Sequence, residues 1–215
     1  MQKTFFGTTQ AGEETWLYTL CNKNGLSVKI ATYGGTITEI NVPDRDGNFV
    51  DIALGFETLA DFEERSPFFG AIIGRYANRI ANGLFKIGET RYQLAQNNGP
   101  NNLHGGPSGF DKKVWTVSRT DGEKLLELNY MSPDGDAGFP GNVNVIVSYA
   151  LTDENELHID YQAYGDQTTP INLTNHSYFN LLGGGSVLGH VAQIHADRYT
   201  PVDEHLIPTG DLAPV

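Results

Sequence analysis

The chain has 215 residues, of which 39% are hydrophobic, so it is long enough to bury a substantial core without disulfides or metals. Its formal net charge of −12 disfavours nucleic acid and anionic membrane surfaces as partners, because both are bound through Lys and Arg, and suits a neutral small molecule better. No apolar run approaches the about 18 residues of a transmembrane helix, the N-terminus lacks the apolar core of a secretory signal, and Cys21 has no second cysteine to pair with, so a cytoplasmic protein is expected.

The first third of the chain alternates apolar and polar residues with the period of β-strands. In "LSVKIATYGG" the side chains of Val28 and Ile30 share one face, and "TITEINV" continues the pattern with one irregular step that predicts a β-bulge. Helical periodicity is scarce, and its best example is "TLADFEER", with Thr58 as the expected N-cap. This region is therefore predicted to be sheet with one short helix.

The following segments read as further short strands separated by turn residues. "GLFKIGETRYQL" predicts a hairpin, and "KKVWTVSRT", "KLLELNYM", "NVNVIVSYALT" and "ELHIDYQAYG" predict four more strands. No helix of crossover length lies between them, which excludes βαβ units. The pattern predicts an all-β protein, an antiparallel sandwich or barrel formed by residues 1–215 as a single domain.

Four polar clusters interrupt this alternation. They are "GRYANRIANG", "NNGPNNLHGG", "SPDGDAGFPGN" and "LTNHSYFNLLGGG", and they contain Asn78, Arg79, His104 and His176. Taken singly, each has an ordinary explanation, because arginines pair with carboxylates, Asn-Gly runs form turns, and most histidines are hydrogen-bonded structural residues. Taken together, uncharged donors, a cation and two imidazoles suit an uncharged, polyhydroxylated ligand.

A metal site is not expected. The six histidines do not form a CxxC-type or HExxH-type pattern with other ligands, and Cys21 is isolated. "GGGSVLG" is not preceded by a strand and followed by a helix, so it is not a nucleotide-binding loop.

In several motifs the sequence resembles the aldose 1-epimerases, or galactose mutarotases. The resemblance lies in "GRYANRIANG", "NNLHGGPSGFDKKVW", "SPDGDAGFPGN", "LTNHSYFNL" and "DRYTPVDEHLIPTGDL", which follow the family's order and spacing. It implies an antiparallel supersandwich of the galactose mutarotase-like type. It also implies an enzyme that interconverts the α and β anomers of a neutral hexose such as galactose or glucose, without a metal or organic cofactor. By resemblance, Asn78, Arg79 and His104 bind the sugar and His176 is the general acid.

The sequence departs from the family pattern after "LIPTGDL". In the family a later segment carries an aspartate that binds sugar and a glutamate that acts as general base, whereas this sequence ends at Val215. A sandwich without its last strands is expected to expose sheet edges and apolar faces. Three explanations are open: a fragment of a longer product, pairing with another copy or a second subunit, or a natural truncation.

The missing base keeps a second interpretation open, a non-catalytic carbohydrate-binding module that retains the sugar contacts. A phosphosugar epimerase is a further alternative, which the net charge of −12 disfavours because a phosphate pocket needs several basic side chains.

Overall fold

Two antiparallel sheets pack against each other across a shared apolar core. The computed structural model describes residues 1–215, and the first sheet is a five-stranded meander in sequence order. Its strands are β1 (Gln2–Thr8), β2 (Glu14–Cys21), β3 (Ser27–Ala31), β4 (Ile37–Pro43) and β5 (Phe49–Asp51). The register shifts where β3 pairs with β4, so the predicted bulge in "TITEINV" is confirmed.

Short elements connect this sheet to the second one. The helix α1 (Leu59–Arg65) begins after Thr58, whose hydroxyl accepts from the N–H of Asp61 at 3.2 Å, so the predicted N-cap is confirmed. The strands that follow are β6 (Ile72–Ile73), β7 (Arg79–Ile80), β8 (Leu84–Ile87), β9 (Thr90–Gln93) and β10 (Asn102–Leu103). β8 and β9 form the predicted hairpin, and β10 pairs with β7.

The second large sheet has four strands, also in sequence order. They are β11 (Thr116–Asp121), β12 (Leu125–Ser132), β13 (Val143–Leu151) and β14 (Leu157–Gly165). Three short strands complete the structure: β15 (Thr174–Asn175), which pairs with β6, and β16 (Arg198–Tyr199), which pairs with β17 (Ala213–Pro214). Single turns of 3-10 helix lie at Ala81–Gly83, Phe110–Lys112, Asp136–Gly138 and Val187–Gly189. None of the helices is long and apolar enough to cross a membrane.

The core draws on both large sheets. Every second residue of β13 is buried, and the fully buried side chains of Val145 and Val147 meet those of Val28 and Ile30 in one cluster. Burying an aliphatic side chain of this size contributes about 1.5–3 kcal/mol, so the alternation read from the sequence is the main source of the sandwich. The Tyr149 hydroxyl donates to the Gly35 carbonyl at 2.6 Å across this core. The all-β antiparallel prediction is confirmed.

Apolar side chains are partly or fully exposed in two regions, at the β14 edge of this core and after Phe179. β14 is an edge strand, and its inward residues Leu157, Ile159 and Tyr161 are only half-buried. After Phe179 regular structure is sparse, and Leu188 and Val191 are 92% and 96% exposed. The three β14 residues therefore pack against the core while remaining partly exposed, whereas no residue after Phe179 belongs to it.

Candidate active site

His104 is held in place by a reciprocal pair of contacts with Asn78. The N–H of His104 donates to the Asn78 carbonyl at 3.1 Å, and the N–H of Asn78 donates to Nδ1 of the His104 imidazole at 2.9 Å. Both residues have left-handed backbone, with φ values of 57° and 66°. Because Nδ1 accepts, the neutral ring carries its proton on Nε2, which has no partner within the protein and is free to donate to a ligand.

Arg79 lies beside this pair because β7 and β10 place it opposite Leu103. Its Nε donates to Oδ1 of Asn98 at 2.9 Å, and its Nη1 donates to Oδ1 of Asn78 at 3.2 Å. No carboxylate forms an ion pair with it. The guanidinium is therefore oriented by neutral amides and keeps its charge for hydrogen bonds to other groups.

His176 reaches the same place from a distant part of the sequence. β15 pairs with β6, and immediately after it the N–H of His176 donates to the Ala71 carbonyl at 3.0 Å. The carbonyl of His176 accepts from Gly70, and the Asn175 side chain donates to the Gly70 carbonyl at 2.8 Å. The backbone at His176 is thus fixed on both sides of the imidazole.

The structure brings the four predicted site residues together. The His104 and His176 ring centroids are 5.1 Å apart at 86°, and hydrogen bonds join Asn78 to both Arg79 and His104. Three further residues border this group: Phe68, Asn98 and Tyr178. Asn98 and Tyr178 lie within two of the polar clusters, but nothing in the sequence pattern singles out Phe68.

The His104 imidazole is difficult to protonate in the folded chain. Burial, together with the nearby His176 and Arg79, lowers the pKa of His104 to about 4. His104 is therefore neutral at pH 7 and acts as a hydrogen-bond donor through Nε2. A histidine in the unfolded chain has a pKa of about 6.5, above the value of His104 in the folded chain. This difference contributes its full stability to the folded chain above about pH 6.5, and the contribution is lost as the pH falls towards about 4.

Comparison with known proteins gives this group of residues a context. The profile of the aldose 1-epimerase family matches residues 17–215. The chain belongs to the aldose 1-epimerase family. It is similar to the galactose mutarotase of Sus scrofa, with 47% identity over 99% of this chain and 62% of that protein. It is also similar to the aldose 1-epimerase of Escherichia coli K12, with 43% identity over 95% of this chain and 59% of that protein.

A solved structure supports the same fold. The crystal structure of a GalM/aldose epimerase homologue from C. elegans superposes with a TM-score of 0.88 at 34% identity, over 93% of this chain and 61% of that one. The antiparallel supersandwich predicted from the sequence motifs is thereby confirmed. This aldose 1-epimerase family chain spans about three fifths of the length of the relatives it matches.

Neither His104 nor His176 is paired with a carboxylate in this chain. Neither ring has an Asp or Glu within 4.0 Å, since the histidine–carboxylate pairs in the chain involve His158 and His205. The nearby Asp111 is 6% exposed, and burial raises its pKa. One of its oxygens lacks a hydrogen-bond partner, and the other lies 3.3 Å from Lys112. The site thus has donors and a cation but no carboxylate in contact with either histidine.

Arg75, which precedes Asn78 and Arg79 in the same motif, has a structural role. Its side chain is 1% exposed and donates to the carbonyls of Pro133, Pro140 and Gly141 and to the Ser132 hydroxyl. Two of the four polar clusters are therefore joined by this guanidinium. The "SPDGDAGFPGN" loop that it holds does not contact the imidazoles.

Gly105 allows the His104 loop to lie against the chain near Arg75. A Cβ on Gly105 would lie 2.0 Å from the Gly74 carbonyl oxygen, and its φ is 85°. We expect Gly105→Ala to cost about 1–3 kcal/mol more than Gly122→Ala, because Gly122 also has positive φ but open space around it. Urea unfolding of both variants measures this difference. Equal losses would mean that backbone strain alone, and not the contact with Gly74, determines the cost.

Proposed function

We propose that this chain, as a single galactose mutarotase-like domain, forms the sugar-binding and proton-donating part of an aldose 1-epimerase acting on a neutral hexose such as galactose or glucose. The observation that carries the proposal is the perpendicular pair of imidazoles 5.1 Å apart, with Asn78 and Arg79 hydrogen-bonded beside it. Neutral donors with one cation match the hydroxyl groups of a sugar. A cytoplasmic location, with free hexoses as substrates, is part of the proposal.

The proposed chemistry assigns different roles to the two histidines. His176 donates a proton to the ring oxygen while a base removes the proton of the C1 hydroxyl, so the bond between C1 and the ring oxygen breaks and C1 becomes an aldehyde. Rotation about the C1–C2 bond turns the other face of the aldehyde towards the ring-forming hydroxyl. Reclosure then returns the proton to His176. His104, through Nε2, and Arg79 hold the remaining hydroxyls during this rotation.

The base is the part of this mechanism that we place outside the 215 residues. The resemblance assigns it to a glutamate in a later segment, and in this chain each imidazole lacks a carboxylate within 4.0 Å. We therefore expect the 215-residue chain to bind galactose or glucose but to leave anomerisation close to the buffer rate. Calorimetric or NMR titration measures binding, and polarimetry of fresh α-D-galactose measures anomerisation. Failure to bind either hexose would overturn the proposal, and rapid turnover would show that the base lies within the chain.

A non-catalytic carbohydrate-binding module is the second candidate, favoured by the same lack of a carboxylate. Formate or acetate is a small carboxylate that can take the place of a missing base. If the chain belongs to an enzyme, added formate should accelerate anomerisation in proportion to bound sugar. If it is a binding module, sugar should bind while formate has the same effect with and without the chain.

A phosphosugar epimerase is less well supported by the charges. Of the two arginines in the first motif, Arg75 is buried and directs both Nη atoms to backbone carbonyls and hydroxyls, which leaves Arg79 as the cation beside the imidazoles. We expect galactose to bind at least as tightly as galactose 6-phosphate. A clear preference for the phosphate would favour the alternative.

A further inference from the structure

Phe68 packs against both imidazoles of the site. Its ring centroid lies 4.8 Å from that of His104, in an edge-on arrangement at 71°, and 5.6 Å from that of His176. With 5.1 Å between the two imidazoles, the three rings form a nearly equilateral triangle. Phe68 has no polar atom on its side chain, so its effect on the histidines is through packing and the exclusion of water.

The backbone of Phe68 is held in an unfavourable conformation. Its φ is 68°, a left-handed value that glycine adopts readily but that is rare for a bulky residue. Such a conformation persists only when the surrounding structure fixes it. Here the Phe68 carbonyl accepts from the N–H of Ala71, and the side chain packs on the buried cluster of Ala71, Ile73 and Ala77. Ala71 also accepts from His176, so the same short segment supports Phe68 and the imidazole that it contacts.

We infer that Phe68 is a positioning residue of the proposed sugar site, which fixes the angle between the two imidazoles and shields His104 from water. The inference rests on the proposed function for its catalytic meaning, but the effect on His104 is measurable without any substrate. A neutral His104 with its proton on Nε2 is a donor of fixed direction, whereas the proposed mechanism assigns the proton transfer to His176.

Two other groups around His104 act in the same direction as burial. His176 and Arg79 both disfavour a second positive charge, but burial is the largest cause of the lowered pKa of His104. Asp111, a buried carboxylate in the 3-10 helix that follows the His104 loop, is paired with Lys112 and interacts electrostatically with His176. Because burial dominates, removing a ring that covers His104 should have a larger effect on its protonation than a change in a distant charge.

The test is an NMR titration of the histidine side chains, in which two-bond 1H–15N spectra report the protonation and tautomer of each ring. In Phe68→Ala we expect the His104 pKa to rise from about 4 towards the ordinary value of about 6.5. The neutral ring should keep its proton on Nε2, because the N–H of Asn78 still donates to Nδ1. Phe68→Tyr keeps the ring and should behave like the wild type. If Phe68→Ala fails to fold, Phe68→Leu keeps the apolar volume and should show the same change in smaller measure.

Phe69→Ala is the matched control, because the neighbouring ring packs on Phe56 and Tyr178 and does not contact either imidazole. It should destabilise the chain without changing the titration of His104. The inference is overturned if Phe68→Ala leaves the pKa of His104 unchanged, or if Phe69→Ala changes it equally. Failure of the wild-type chain to bind hexose would overturn the proposed function instead, and it would leave the effect of Phe68 on His104 intact.

Discussion

Replacing Arg75 by methionine is expected to destabilise the folded chain by about 3–5 kcal/mol, a large part of the about 5–15 kcal/mol that stabilises a typical domain. The guanidinium is almost completely buried and donates to three carbonyls between Pro133 and Gly141 and to both oxygens of Ser132. Methionine fills a similar volume but offers these acceptors no donor, and buried acceptors without a donor destabilise the folded chain. Asp136, which accepts from the Ser132 hydroxyl, loses the positive charge near it as well.

Urea unfolding followed by circular dichroism measures this loss. Arg119→Met is the matched control, because the Arg119 side chain is exposed on β11 and forms no hydrogen bond or ion pair. Its free energy of unfolding should change by no more than about 0.5 kcal/mol. Arg75→Lys should lie between the two, since an ammonium replaces some of the donors but cannot span both groups of carbonyls. If Arg75→Met is as stable as Arg119→Met, the buried guanidinium does not hold the two polar clusters together.

The sandwich was predictable because burial leaves a period-2 pattern in the sequence. Val28 and Ile30 in β3, and every second residue of β13, face the core that the alternation indicated. The short strands β6, β7, β10 and β15 were not predictable, since each has two residues and depends on pairing between segments far apart in the chain. Those pairs bring Arg79 next to His104 and His176 next to Ala71, so local patterns contain no information about the assembly of the site.

The motifs predicted the site residues, but they did not predict which other residues hold the site in place. Arg75 and Arg79 occur in the same motif, and the residue types alone predict a ligand contact equally for both. In the structure Arg75 is buried and bonded to carbonyls, whereas Arg79 is half-exposed beside His104. Only the three-dimensional packing separates them. Phe68 has no polar group that would suggest a role in a binding site. Its proposed role follows from a left-handed backbone that brings its phenyl ring against two imidazoles from distant parts of the sequence.

Replacing His176 by alanine is expected to reduce formate-dependent anomerisation of galactose by about 10²-fold or more, while changing sugar affinity little. In the proposed mechanism this imidazole protonates the ring oxygen, and a positioned acid contributes about 10²–10⁴-fold to such a step. The hydroxyl contacts are assigned to Asn78, Arg79 and His104, which remain hydrogen-bonded to one another without His176. Polarimetry at saturating galactose gives the rate, and calorimetric titration of the same samples gives the affinity.

His158→Ala is the matched control for this experiment, because His158 is exposed on β14, pairs with Glu156 and lies on the strand face opposite the core. It removes an imidazole from the surface and should leave both rate and affinity unchanged. His104→Ala should show the opposite division, with weaker binding as its main effect, since His104 is neutral near pH 7 and its proposed role is to hold hydroxyls through Nε2. If His176→Ala retains the formate-dependent rate while His104→Ala loses it, the two imidazoles exchange roles, and the proton donor is the ring that Asn78 orients.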